Sequence, residues 1–426
     1  MKPLAIDRRW LLKGGAGLLA GLIGSSALAD VLTTDNDSVA AGDGLLASQM
    51  RLGELLIRYL ARHRRADSAQ GSNLGANVVV SPASLAAILS LVDLGGSGAM
   101  HAAIHRTLGF KRTARRKAEK DLESLRRSVS ALIAQGSSNK GGKDGPLVLA
   151  NLVAFDRAIE PKQLAMFGLS GAGADVLVDN LSDSRIVDRI NGWVKEKTHE
   201  LIPSIMGEAP ETLGLVAVNA LYFKDKWQTP FQPSRTVTAP FQTVSGKPVD
   251  VQMMHSPVGT FRLRSDKRFI AAELGYINDN FKLVAITTRS TPAPAQDFAT
   301  AAGWLGGEGF EAQSGEIALP KLTLSTTGEL LPALDALGLA AARNSRGALE
   351  GFSDEELHIA RVLQKLELRV SEEGTEGAAA TAVMTTRSLA PPHHVVTFDK
   401  PFIFALRDDK TGLVLFMGYV SSPPKA

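Results

Sequence analysis

Ser371-Glu372-Glu373-Gly374-Thr375-Glu376-Gly377-Ala378-Ala379-Ala380-Thr381-Ala382-Val383-Met384-Thr385-Thr386-Arg387-Ser388-Leu389-Ala390-Pro391-Pro392 lies between two stretches that read as strands, 363–370 and 402–406. It has no large apolar anchor before Met384. A structureless run of about 22 residues inside a compact domain is uncommon and usually functional. A solvated Ala-rich connector or a short surface helix is the plain reading. A strand over 375–383 is the sharper one. It would place Thr375, Gly377, Ala379, Thr381 and Val383 on one face, and Glu376, Ala378, Ala380 and Ala382 on the other. Every inward residue is small or β-branched, and the charge faces outward. Such a segment fits between existing strands without displacing large side chains. About 14 residues of it would span roughly 46 Å. A loop able to join a sheet is a spring rather than a connector.

Outward from this segment the chain changes character. Strands read at 216–223, 249–254, 261–263, 281–287 and 317–324, the last leading into a helix at 327–338. The end, 402–406 and 413–419, reads as a hairpin turning at 407–412. Upstream, apolar periodicity predicts helices at 48–65 and through 100–134. Val78-Val79-Val80 is a short strand. Ser81-Pro82-Ala83-Ser84 opens a helix, with Ser81 as N-cap and Pro82 in the first turn. Helices early, strands late and no regular βαβ alternation predict an α+β fold. No linker divides 48–426, so one domain is expected after a loose lead-in over 30–47.

The first 29 residues stand apart. Asp7-Arg8-Arg9-Trp10-Leu11-Leu12-Lys13 precedes an uncharged apolar stretch ending in Ala27-Leu28-Ala29. This is the order of a bacterial signal peptide, and the paired arginines resemble a twin-arginine signal. It predicts export, to the periplasm or beyond, with no membrane association once the signal is cut. The leader carries the whole formal charge of +3, and the remainder is neutral. That excludes a basic nucleic-acid-binding body. Hydrophobic residues at 44% exclude a disordered chain, and the absence of cysteine excludes disulfides and thiolate chemistry.

The residues resemble the serpin family. Glu372-Glu373-Gly374-Thr375-Glu376-Gly377-Ala378-Ala379-Ala380-Thr381 is similar to the hinge of its reactive loop. Asn77-Val78-Val79-Val80-Ser81-Pro82-Ala83-Ser84 and Asn219-Ala220-Leu221-Tyr222-Phe223-Lys224-Asp225-Lys226-Trp227 with Phe231 are similar to motifs of its main sheet. Ile190-Asn191-Gly192-Trp193-Val194, Leu319-Pro320-Lys321, Leu337-Gly338-Leu339, Pro401-Phe402-Ile403-Phe404 and Leu415-Phe416-Met417-Gly418 come in the family's order. The resemblance implies a serpin fold: a large central sheet, two smaller sheets and about eight or nine helices, with a reactive loop near 372–394 exposed. It implies a monomeric suicide inhibitor of serine, or cysteine, proteases, with no catalytic group, cofactor or metal. The alternative is a non-inhibitory binding protein of the same fold.

Ser81, Pro82, Ser84, Asn219, Trp227 and Gln364 mark the region where the resemblance implies that the sheet opens. Gln364 stands where the family often has histidine, and Gly377 where it usually has alanine. Family spacing from Gly374 places the scissile bond at Ser388–Leu389, implying an elastase- or subtilisin-like target. A loop one residue shorter places it at Arg387–Ser388. Arg387 is the only basic residue between Glu372 and Lys400, and a trypsin-like pocket needs one. Arg387–Ser388 is therefore the first choice. Lys111, Arg112, Arg115, Arg116 and Lys117 form a basic run that in some serpins binds a sulfated polysaccharide, although Glu119, Asp121 and Glu123 interrupt it.

Other chemistries fit less well. Ser137-Ser138-Asn139-Lys140, Tyr276-Ile277-Asn278 and Lys410-Thr411-Gly412 match the three signatures of serine β-lactamases and penicillin-binding proteins. That chemistry needs the serine at a helix start and the Lys-Thr-Gly along a strand. Here a Gly/Ser-rich loop and a hairpin tip are expected instead. No G-x-S-x-G elbow occurs. His101 and His105 sit one helical turn apart and could form half a metal site, but without carboxylate partners they read as surface residues, and the same holds for a metal on His393-His394.

Overall fold

A computed structural model of the chain describes residues 44–67, 77–110, 115–137, 146–211, 214–375 and 394–423. The strands in chain order begin with β1 (Val78–Val80), β2 (Leu147–Asp156), β3 (Ala174–Asp179), β4 (Leu215–Phe223), β5 (Asp225–Lys226) and β6 (Val237–Gln242). They continue with β7 (Pro248–His255), β8 (Gly259–Ser265), β9 (Phe269–Gly275), β10 (Phe281–Thr288), β11 (Glu311–Pro320) and β12 (Leu322–Glu329). The last are β13 (Ile359–Val370), β14 (Gly374–Thr375), β15 (His394–Thr397), β16 (Phe402–Asp408) and β17 (Leu413–Val420). The helices among the described residues are α1 (Leu45–Asp67), α2 (Pro82–Asp93), α3 (Gly98–Thr107), α4 (Arg115–Ser137), α5 (Gln163–Gly171), α6 (Arg185–Lys197) and the one-turn α7 (Leu331–Leu334) and α8 (Ala340–Arg343).

The main sheet runs β3-β2-β4-β13-β12, with β14 and β5 added at one end of β13. Its middle pair, β4 and β13, is parallel, with Asn219 opposite Gln364. The strands flanking that pair are antiparallel to it, β2 to β4 and β12 to β13, while β3 lies parallel to β2 at the edge. The other ten strands, β1-β17-β16-β10-β9-β8-β11-β7-β6 with β15 on β11, are joined in one hydrogen-bonded network, in which the two smaller sheets that the resemblance implies run together. Both share β11, whose first half pairs with β8 and whose last residues pair with β7, so hydrogen bonding runs through them without a break.

The two faces of β4 enter different cores. Leu215, Ala217, Leu221 and Phe223 join the large core that holds α2 and the smaller sheets. Val216, Val218 and Ala220 join a smaller core under α6, with Ile186, Ile190 and Val194. Asn191 ties that helix down: its side chain donates to the Met206 carbonyl and accepts from the Ile205 and Met206 amides.

Four expected elements come out differently. The helix expected across 100–134 is two, separated by a break at Gly109. Gly109 has φ +77, and a Cβ there would press on the Ser48 carbonyl of α1, so the chain must turn where α1 crosses it. The strand expected at 317–324 is two strands in two sheets, β11 and β12, divided at Lys321. The helix expected at 327–338 is only short turns. β12 continues to Glu329, whose carboxylate accepts from the Val362 amide and Arg361. Gly338, at φ +106, kinks the chain between α7 and α8. The first helix begins at Leu45, three residues before its expected start.

Candidate functional site: the hinge and the sheet seam

β13 ends at Val370 and the chain doubles back. The Ser371 amide donates to the Gly374 carbonyl at 2.8 Å. β14 then runs antiparallel to β13, Thr375 opposite Val370, and pairs on its other side with β5. Gly374 is required here: a Cβ would collide with the Asp225 carbonyl and the Lys226 backbone.

The turn is held from one side by the segment after β4. The Trp227 amide donates to the Glu373 carbonyl and the Phe231 amide to the Glu372 carbonyl, each at 2.8 Å. The Trp227 indole N–H donates to the Ser371 carbonyl at 2.9 Å. Glu372 Oε1 accepts from Lys321 Nζ at 2.9 Å and from Thr236 Oγ1 at 2.8 Å. Burial alone would raise the Glu372 carboxyl. The Lys321 and Thr236 hydrogen bonds outweigh it and hold that carboxyl below its ordinary value.

Thr375 is fully buried. Its hydroxyl meets Tyr276 Oη at 2.7 Å. Tyr276 stacks on Trp227, centroids 4.4 Å apart, and meets the edge of Phe223. Burial pushes the phenol far above its ordinary value, so it keeps its proton. Beside it, burial also raises the Asp225 carboxyl, partly offset by the Lys226 and Asn278 amides that donate to it.

Below the hinge lies the seam between β4 and β13. Asn151 on β2, Asn219 on β4 and Gln364 on β13 stand in register, at most 4% exposed, on the face toward α2. Asn219 Nδ2 donates to Asn151 Oδ1 at 2.8 Å. α2 packs on β4 and starts with Ser81, whose hydroxyl accepts from the Ser84 amide at 3.0 Å, and Pro82.

Of the residues expected at the opening region, Asn219 and Gln364 face each other across the seam, and Ser81, Pro82 and Ser84 begin the helix that packs on β4. Trp227 lies elsewhere, at the sheet's end against the hinge. Glu372, Glu373, Gly374 and Thr375 form the turn and β14. Glu376, Gly377, Ala378, Ala379, Ala380, Thr381, Arg387, Ser388 and Leu389 lie outside the described residues, as do Lys111 and Arg112. Arg115 begins α4, and Arg116 and Lys117 are exposed on it. Sequence reading missed Thr236, Asn151 and the hinge role of Tyr276. An isolated Tyr or Thr carries no signal of a partner about a hundred residues away.

The rival constellations come apart. Tyr276 is buried against the hinge, and Ser137 ends a helix rather than starting one. Lys410-Thr411-Gly412 is a turn in which Thr411 donates to Asp408. His101 and His105 are not the partnerless surface pair that was expected. His101 Nδ1 lies 2.6 Å from Asp93, and buried His105 lies 3.3 Å from Asp121 while stacking on Phe110. Among the described residues no group of three or more His, Asp or Glu could hold a metal ion.

The architecture is that of a sheet with a parallel central seam and a returning strand started at one end of it. The model of the family described as "Serpin (serine protease inhibitor)" matches residues 66–423, and the chain belongs to that family. Among curated proteins it is similar to the leukocyte elastase inhibitor of Bos taurus, 30% identical over 377 residues, 82% of this chain and 94% of that protein. It is also similar to human glia-derived nexin, at 29% identity over 82% of this chain and 88% of the relative. Among solved structures it matches Serpin48 of Tenebrio molitor, with TM-score 0.73, 23% identity and coverage of 90% of this chain and 100% of that one. It likewise matches thyroxine-binding globulin in complex with thyroxine, with TM-score 0.70, 21% identity and coverage of 88% and 99%. The family so described is one of protease inhibitors rather than enzymes.

Proposed function

We propose that this protein inhibits a serine protease by offering residues near 372–394 as substrate and then inserting them into the main sheet. The observation that carries the reading is the state of the seam. β4 and β13 are paired directly and in parallel, while β14 already runs antiparallel to the end of β13. A strand continuing from β14 would exchange one parallel pairing for two antiparallel ones. That adds a full set of ladder hydrogen bonds and uses the slightly stronger geometry. Reactive-loop insertion is a known mode of strand addition in this family. An acyl-enzyme formed at the loop would be carried along the sheet, and its active site deformed before water completes the reaction.

Arg387–Ser388 is the favoured bond, with a trypsin-like target; Ser388–Leu389 and an elastase- or subtilisin-like target come second. We also propose export directed by residues 1–29, with the protein acting outside the cytoplasm as a monomer. Incubation with trypsin, elastase and subtilisin, followed by a denaturing gel and mass spectrometry of the released C-terminal peptide, tests inhibition and locates the bond. A covalent complex is expected. Cleavage by all three without a complex would point to a non-inhibitory binding protein.

A further inference from the structure

α5 turns an apolar stripe away from the core. Ala165 and Leu169 are its buried residues, while Leu164, Phe167, Gly168 and Gly171 follow the i, i+3, i+4, i+7 spacing of another face. Leu164 is 84% exposed and Phe167 66%, the two highest values for large apolar side chains among the described residues. Single exposed apolar residues are ordinary. These two share a stripe with glycines that line a groove.

The groove runs between α4 and α5 and holds about 370 Å³, within the size range of small-molecule sites. Half-buried Leu94, just past α2, lines it together with Gly168 and Gly171 from α5 and Glu123, Arg126 and Arg127 from α4. The backbone does not require glycine at either position. Neither has a left-handed φ; a Cβ at Gly168 would meet only Leu94, at 3.9 Å, and one at Gly171 would meet nothing within 4 Å. Glycine is the poorest helix former after proline, so two of them weaken a helix of 9 residues. What they provide is the open groove.

The α4 wall carries charge of both signs. Arg126 is held in place: its Nη1 donates to Asp93 Oδ2 at 3.0 Å, and the other Asp93 oxygen lies 2.6 Å from His101 Nδ1. Glu123 and Arg127 are exposed, one helical turn apart, and among the described residues neither has an ion-pair partner. A free carboxylate and a free guanidinium thus stand side by side along an apolar trough.

We propose that this groove binds a single-chain zwitterionic amphiphile. Its chain lies over Leu94 and the two glycines, toward Phe167 and Leu164. Its anionic group pairs with Arg127 and its ammonium with Glu123. Glu123 disfavours an amphiphile that is only anionic, and Arg127 one that is only cationic. The ligand is a free molecule rather than a bilayer, because trough and charged wall lie together inside a groove between two helices. The site shares no residue with the hinge or the seam, so its test needs no protease.

The test is calorimetric titration of the full-length protein with dodecylphosphocholine, dodecanoate and dodecyltrimethylammonium, each kept below its micelle-forming concentration. Dodecylphosphocholine should bind at one site and several-fold more tightly than the other two. Arg127→Gln should weaken dodecylphosphocholine and dodecanoate but not dodecyltrimethylammonium. Glu123→Gln should weaken dodecylphosphocholine and dodecyltrimethylammonium but not dodecanoate. Gly171→Leu should fill the groove and abolish binding, with the guanidinium midpoint of the protein not lowered. No binding of dodecylphosphocholine would overturn the proposal, and so would binding that survives Gly171→Leu. Equal affinity for all three amphiphiles would overturn the pairing with Glu123 and Arg127. Sedimentation with phosphatidylcholine vesicles that persists in Gly171→Leu would make this face a membrane contact instead. If Gly171→Leu does not fold, the opposite responses of Arg127→Gln and Glu123→Gln decide alone.

Discussion

Thr375 is the first side chain past the turn, and it is already inside the molecule. Its hydroxyl is engaged with Tyr276, which in turn stacks on Trp227, so the position is closed on the side of the core. Arginine at this position would have to bury a guanidinium without a partner, which costs several kcal/mol. Thr375→Arg should therefore be cleaved by the target protease without trapping it, read as the loss of the covalent band on a denaturing gel. Glu372 adds a pH dependence. Its folded value is depressed, so the stability it contributes is present above the unfolded-chain value of about 4.3 and is lost as pH falls through the folded value. Asp225 has the opposite sign. Its folded value is raised, so its contribution is present at low pH and is lost as pH rises through that value. Glu372→Gln should lower the guanidinium midpoint of the intact protein at pH 7 and flatten its decline between about pH 5 and 3. A decline as steep as before would mean that other carboxylates carry it.

At the scale of elements, the question is what a strand must be to enter the seam. The pattern of small inward residues over 375–383 was legible in the sequence, because strand alternation needs only spacing. Gly377 is the weak position, since glycine in an element interior costs roughly 0.5–1 kcal/mol relative to alanine. Gly377→Ala should raise the midpoint of the cleaved form and leave that of the intact protein unchanged, a contrast visible in paired denaturation curves. An equal rise in both would argue that 377 is ordered in the same way before and after cleavage. The misread elements have local causes of another kind. Gly109 reads as a tolerated helical glycine until α1 is seen crossing it, and Lys321 reads as mid-strand until the chain is seen to change sheets there. Both depend on segments remote in sequence.

For the whole molecule, the proposed insertion requires that the parallel seam leave the intact form less stable than the inserted one. Cleavage in the loop, with the two fragments kept together, should raise the guanidinium midpoint well above that of the intact protein. A midpoint that stays or falls would remove the energy source on which the proposed inhibition depends. Family and fold class could both be read from the sequence, because each is written in short-range terms: alternation, capping at Ser81, and motifs in fixed order. Asn219 and Gln364 were also marked, but only as members of a region. That they stand opposite one another was decided by the register of β4 and β13, whose residues are about 145 positions apart. The docking of Thr375 on Tyr276 and the Glu372–Lys321 pair are of the same sort. The sequence by itself determined which side chains can enter the sheet, since size and period are properties of the strand alone. Only the tertiary structure decided where β14 starts and which residues hold it, because hydrogen bonds across a seam depend on how distant strands are aligned.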